Sequence, residues 1–176
     1  MVGQHLLVCS IGNPAPYENT LHSAGHVVLS ALARMLSYNF EKTRGQNGSH
    51  VSIGQDYILW RSGSYMNVSG SAVAKAWKLY GGKKLVILHD ELELPLGNVK
   101  VTSGLSSAKG HNGLKSMLTK DYTRIGIGIG RPSSRESDLV AAYVLRKIQG
   151  HERSKFEACA SKVLEELQKI SYDKKT

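Results

Sequence analysis

Five short stretches carry side chains able to do chemistry: "GNP" at Asn13, "HSAGH" (22–26), "YMN" (65–67), "HDELE" (89–93) and "HNG" (111–113). His22 and His26 stand four residues apart, a helical spacing, in a chain with seven histidines. Imidazole titrates near neutral pH and serves as a general base, a metal ligand or a hydrogen-bonded core group. A carboxylate such as Asp90 can fix an imidazole's tautomer and stabilise the imidazolium that forms when it takes a proton. Asn13, Asn67 and Asn112 offer amide donors and acceptors without charge, a set that holds a carbonyl and a water without a metal. A metal reading rests on His89, Asp90, Glu91 and Glu93 in one stretch, together with the His22/His26 spacing. No H-E-x-x-H motif accompanies it. His26 falls in an apolar helical stripe, where a packed structural histidine is expected, and Glu91 and Glu93 read as turn or surface carboxylates.

The elements that must position these groups follow from periodicity. "HLLVCSIG" (5–12) is an unbroken apolar run ending in Gly, the pattern of a strand covered on both faces. After the turn-rich "NPAPYENT", a helix is predicted with Ala24, Val27, Val28, Ala31, Leu32 and Met35 on one face. "VSIGQDYILW" (51–60) reads as a hairpin around Gly54–Asp56. "SGSAVAKAWKLY" (69–80) reads as a helix capped by Ser69 or Ser71, with a stripe of Val73, Ala76, Trp77 and Tyr80, ended by Gly81 and Gly82. "KLVILHD" (84–90), "GNVKVTSG" (97–104) and "RIGIGIG" (124–130) are strands. "NGLKSMLTK" (112–120), "DLVAAYVL" (138–145) and "FEACASKVLEELQKI" (156–170) are helices. The glycine alternation lacks the Lys-Ser/Thr of a phosphate loop; Gly126, Gly128 and Gly130 on one strand face allow something to approach the backbone closely. The alternation of strands and helices predicts an α/β fold: a single three-layer domain over 1–176 with a mixed, mostly parallel twisted central sheet flanked by helices, and a frayed tail at 171–176. In such sheets ligands bind at the carboxyl ends of the strands, where Asn13, His22, Asn67, Asp90, His111 and Asn112 gather.

Composition narrows the partners. The 176 residues carry a net charge of +9. The charge is uneven: the first forty residues hold only Arg34 and Glu18, whereas Lys and Arg outnumber Asp and Glu from Lys75 to Arg135. A basic surface of this kind favours an acidic partner, nucleic acid being the commonest. Cys9 and Cys159 lie far apart in apolar patterns and read as reduced core cysteines. No apolar run reaches the roughly 18 residues of a membrane span. The first strand begins by His5, so a leader ahead of the domain is not expected.

Taken together, "LLVCSIGNPAPYENTLHSAGH", "SYMNVSGSAVA", "LVILHDELELPLGNVKV", "KGHNGLKSM" and "RIGIGIGRP", with "AAYVL" near the end, resemble the bacterial-type peptidyl-tRNA hydrolases in order and spacing, over roughly 5–146. The resemblance implies a monomeric enzyme of the cytoplasm, or of mitochondria in a eukaryotic source. It would cleave the ester between a peptide and the 3′ end of tRNA, without a cofactor or metal. It implies His22 as base and Asp90 as the carboxylate that orients it. Asn13 would sense the blocked amino group, Asn67 and Asn112 would hold substrate and water, and Tyr17 and Tyr65 would contact substrate. The chain departs from the family in having Ser23 after the histidine, a shorter turn between Asn13 and Tyr17, and a longer loop at 105–110. Two basic positions that clamp a tRNA 5′-phosphate fall on Thr102 and Gly126. Lys100, Lys109, Arg124 and Arg131 are the nearby phosphate candidates. Competing readings are an RNA-binding module without catalysis and a metal-dependent hydrolase using His89, Asp90 and Glu93.

Overall fold

The computed structural model describes residues 5–173. β1 (Leu6–Ser10) is buried along its whole length. It lies between β4 (Tyr57–Arg61) and β5 (Lys84–Glu91), both parallel to it. β7 (Thr123–Gly128) extends the parallel set beyond β5. Antiparallel strands close both edges: β3 (His50–Ile53) and β2 (Glu41–Lys42) beside β4, and β6 (Val99–Ser103) beside β7. The seven strands run in the order β2-β3-β4-β1-β5-β7-β6.

Alternate residues of the central strands feed two separate cores, which is why these strands read as continuous apolar runs. Leu6, Val8, Val86 and Leu88 face a layer built by α1 (Ala24–Met35), α4 (Ser137–Val144) and the long α5 (Gly150–Tyr172). Leu7, Cys9, Leu85 and Ile87 face α2 (Ser69–Tyr80) and α3 (Asn112–Lys115). The result is the three-layer α/β architecture with a mixed, mostly parallel sheet. Cys9 and Cys159 are both buried and unpaired.

Several local expectations change. The helix expected over 112–120 stops after one turn, because Ser116 is tied to the start of α2: its Oγ accepts from the Gly70 amide at 2.8 Å and donates to the Gly113 carbonyl. Neither Ser69 nor Ser71 caps α2; the helix continues from a 3-10 turn at Met66–Val68, and Ser69 Oγ donates to the Met66 carbonyl instead. Met35 and Trp77, placed on apolar stripes, are exposed. Of the tail expected to fray from 171, Ser171 and Tyr172 belong to α5, and the ammonium groups of Lys83 and Lys84 donate to the carbonyls of Ile170, Ser171 and Asp173 at the helix C-terminus. Residues 174–176 of that expected tail lie outside the described residues.

The glycine alternation does admit a close approach, by the protein's own chain. A Cβ on Gly128 would collide with the Pro95 carbonyl oxygen and with Leu94. The 92–96 turn that follows Asp90 therefore rests directly on β7. Gly128→Ala is expected to lower stability by about 1–3 kcal/mol, the usual scale of overpacking. The loss should register as a lower urea midpoint at unchanged slope.

Candidate active site

The carboxyl ends of β1 and β5 bring the chemistry together. β1 leads into a turn whose Asn13 amide donates to Ser23 Oγ at 3.1 Å. Ser23, the departure after His22, is fully buried and ties this turn to the entry of α1. His22 sits on a 3-10 turn, Leu21–Ser23, immediately before that helix. Asp90 is next to last in β5, and His111 occupies the N-cap of α3.

Asp90 is 2% exposed, and each of its oxygens meets one imidazole. Oδ2 lies 2.8 Å from His22 Nδ1, and Oδ1 lies 2.8 Å from His111 Nε2. The tautomer of His111 follows from its other nitrogen, because Nδ1 accepts the Leu114 amide at 3.2 Å and so carries no proton. Neutral His111 therefore bears its proton on Nε2 and donates it to Asp90. His22 donates through Nδ1, which leaves its Nε2 as the free basic nitrogen. Behind them, buried His89 bonds through Nδ1 to the Asp90 carbonyl at 2.7 Å.

The electrostatics agree with these bonds. Burial alone would raise the Asp90 carboxyl, but the charges and hydrogen bonds of His22 and His111 outweigh it and hold the group well below the usual carboxylate range. Burial lowers the basicity of His22; the charge and hydrogen bond of Asp90 overcome this and raise it above the ordinary 6.5. Burial, followed by the influence of His111, pushes His89 down to about 3, so His89 stays neutral.

His22 and Asp90 open onto a cleft of about 600 Å³. Asn13, Tyr65, Asn67, Asn112, Lys109 and Arg131 all line it. Asn13 Oδ1 accepts from the Met66 amide at 2.8 Å, which turns its NH₂ into the available group. Val140, Ala141 and Val144 of α4 supply an apolar wall.

Three expected contacts are not at this cleft. Tyr17 is 43% exposed on the turn and does not line it. Lys100 is exposed on edge strand β6, paired with Gly126. Arg124, expected as a phosphate contact, is only 5% exposed; its Nη2 donates to the Ser107 carbonyl at 2.7 Å and anchors the 105–110 loop from inside. Arg131 is on the cleft but already engaged, with Nε and Nη2 both on Glu93 Oε1 at 2.9 and 2.6 Å. His111 was the residue whose role the sequence did not reveal. The signal available was its place directly before a short helix, where a side-chain acceptor satisfies a free amide.

Among the described residues, His22, Asp90 and His111 are the one histidine–carboxylate group close enough together to hold a metal ion. The His111 tautomer argues against it, since the nitrogen facing Asp90 carries a proton and has no lone pair to give. His89, Asp90 and Glu93 do not converge: Glu93 turns outward to Arg131, and the His89 ring is spoken for by backbone.

A histidine bonded to a buried carboxylate and open to a cleft of amide side chains, at the carboxyl ends of parallel strands, is an arrangement able to activate a water. The chain belongs to the peptidyl-tRNA hydrolase family, which it matches over residues 7–176. It is 36% identical over 161 residues to a peptidyl-tRNA hydrolase of Rhodococcus erythropolis, spanning 86% of this chain and 83% of the relative. It is 38% identical over 135 residues to one from Tropheryma whipplei, spanning 74% and 70%. A crystal structure of the peptidyl-tRNA hydrolase from Acinetobacter baumannii superposes with a TM-score of 0.81 at 27% identity, covering 96% of this chain and 89% of that one.

The raised basicity of His22 has a testable sign. Its protonated, inactive form persists to higher pH than an ordinary imidazole, so the acid limb of kcat/KM is expected above pH 6.5. In Asp90→Asn the stabilising charge is gone, and the limb should move to lower pH while the rate falls. A limb unmoved by Asp90→Asn in a pH–rate profile would separate Asp90 from the ionisation of the base.

Proposed function

We propose that the protein hydrolyses the ester joining a peptide, or an N-blocked aminoacyl group, to the 3′ end of tRNA. The observation that carries this reading is the 2.8 Å bond between His22 Nδ1 and Asp90 in a chain of this family, because it leaves Nε2 facing the cleft as a base. His22 removes a proton from water as the oxygen attacks the ester carbonyl. The Asp90 carboxylate stabilises the imidazolium so formed, and His111 holds Asp90 in place from the other side. The amide groups of Asn67 and Asn112 hold water and substrate and stabilise the developing oxyanion. When the intermediate collapses, the imidazolium returns its proton to the departing ribose oxygen. A ribose ester is already activated, so a positioned water and a base suffice.

The NH₂ of Asn13 suits the carbonyl oxygen of a blocked amino group, and the apolar wall of α4 with Tyr65 suits the peptide. Lys109, Arg131 and Arg135 at the cleft meet tRNA phosphates, with Lys100 further out on β6. The chain acts as a single domain and a monomer, without cofactor, in the cytoplasm of a cell of bacterial type. Among its described residues no helix is long and apolar enough to cross a membrane. The closeness of His22, Asp90 and His111 gives the metal-dependent reading its one foothold, and a chelator separates it: activity lost to the chelator and restored by Zn²⁺ would favour that reading.

Purified protein incubated with N-acetyl-aminoacyl-tRNA should release free tRNA while largely sparing unblocked aminoacyl-tRNA. His22→Ala should lower this rate by about 10²–10⁴, the scale of losing a general base, with the melting temperature little changed. Near-full activity in His22→Ala would make the histidine structural.

A further inference from the structure

A second cavity, of about 310 Å³ and sharing no lining residue with the cleft, lies where the end of β4, the side of α1 and the first turns of α5 meet. Arg61, Arg34 and Arg153 enter it from these three elements, with Glu18 and Glu157 as the acidic groups. The guanidinium groups are not equally satisfied. Arg34 pairs with Glu157 at 3.5 Å, and Arg153 donates to the side-chain oxygen of Asn19. The Arg61 guanidinium is half-buried and makes no hydrogen bond or ion pair among the described residues. Glu18 is the carboxylate whose charge reaches it, without direct contact. A guanidinium cannot relieve its desolvation by losing a proton.

His26 adds a second unmet group. Its ring is buried, Nδ1 is bonded to Ser10 Oγ at 2.6 Å, and Nε2 has no partner. Ser10 is in register with Arg61 across the β1/β4 pair, so the histidine and the unpaired cation belong to one neighbourhood. An unpaired half-buried cation with two further guanidinium forks around one polar cavity is complementary to a tetrahedral oxyanion.

We propose that this cavity is an anion site that takes a phosphate group, with Arg61 as its principal ligand and Arg153 beside it. The same chemistry can come from a phosphodiester of an RNA backbone or from a free phosphate. Neither source requires the cleft, so the site stands apart from the proposed hydrolysis.

Titration of the intact protein with inorganic phosphate is expected to shift the Arg61 side-chain Nε–H and His26 ring resonances saturably. Arg61→Gln should weaken phosphate at least tenfold, and Glu18→Gln should tighten it. Should Arg61→Gln fail to fold, Arg153→Gln is expected to weaken phosphate in the same direction. The source is decided by tRNA binding against salt. A log–log slope shallower by about 0.7–0.9 in Arg61→Gln assigns the site to RNA backbone. An unchanged slope with phosphate affinity lost assigns it to a free phosphate. Absence of saturable shifts at Arg61 and His26, or equal phosphate affinity in the wild type and the foldable arginine variant, would overturn the proposal.

Discussion

An ionised carboxylate buried at the end of a central strand is the constraint around which the rest of the site is arranged. Asp90 gives up its hydration, and a lone buried charge of this kind costs several kcal/mol unless it is paired and hydrogen-bonded. Two imidazoles supply that pairing, one per oxygen. They come from opposite layers of the sandwich: His22 from the approach to α1, His111 from the cap of α3. The carboxylate thereby joins three elements that share no local sequence. Its position also selects the tautomers, because a carboxylate can only accept. Each imidazole must turn a protonated nitrogen toward it, and the remaining nitrogen of each ring is fixed by exclusion. For His111 that nitrogen closes a helix cap; for His22 it faces the cleft. The two imidazoles at Asp90 differ in what lies beyond the ring, an amide in one case and the cleft in the other.

Support behind the carboxylate has the same character. The 92–96 turn sits on the bare backbone of β7, and Arg124 reaches from β7 beneath the 105–110 loop to hold Ser107. Both flanks of the site are therefore anchored to one strand, which is itself paired in parallel with β5, including Asp90↔Ile127. The ion pair of Arg131 with Glu93 gives the cleft a rim whose basic charge is partly neutralised. Surface ion pairs of this kind contribute little stability.

Much of this was legible in the sequence where one physical signal dominated. The unbroken run 6–10 and the helix Ser69–Tyr80 ended by Gly81 emerge from periodicity and backbone freedom alone. Asp90 and Asn13 were placed at strand ends and His22 at the entry to the first helix, where the structure has them. The misreadings share a cause: each depends on a partner distant in sequence. The third helix is cut short by contact with Gly70, the expected tail is held by Lys83 and Lys84, and Arg124 is drawn inward by a loop carbonyl. A basic residue on a strand next to a glycine-rich face looks like a phosphate contact until the loop that covers it is known. His111 was visible as a polar residue at a turn, but its grip on Asp90 is a tertiary fact separated by 21 residues.

The two histidines of "HSAGH" show how the same residue type, one helical turn apart, is driven in opposite directions. Both lose water, and in both burial is the largest influence and lowers basicity. What differs is the neighbour. Asp90 reverses the effect at His22, whereas at His26 the charge of Arg61 adds to burial and pushes the imidazole down to about 3. His22 precedes the first regular turn of α1 and meets Asp90 near the end of β5; His26 lies within the helix and meets Ser10 on β1. A general base, the role proposed for His22, must be neutral at working pH and able to accept a proton, and a core histidine must be neutral and remain so. The sign of the nearest charge separates the two roles, and it is set by which strand end each ring reaches rather than by the spacing of the pair.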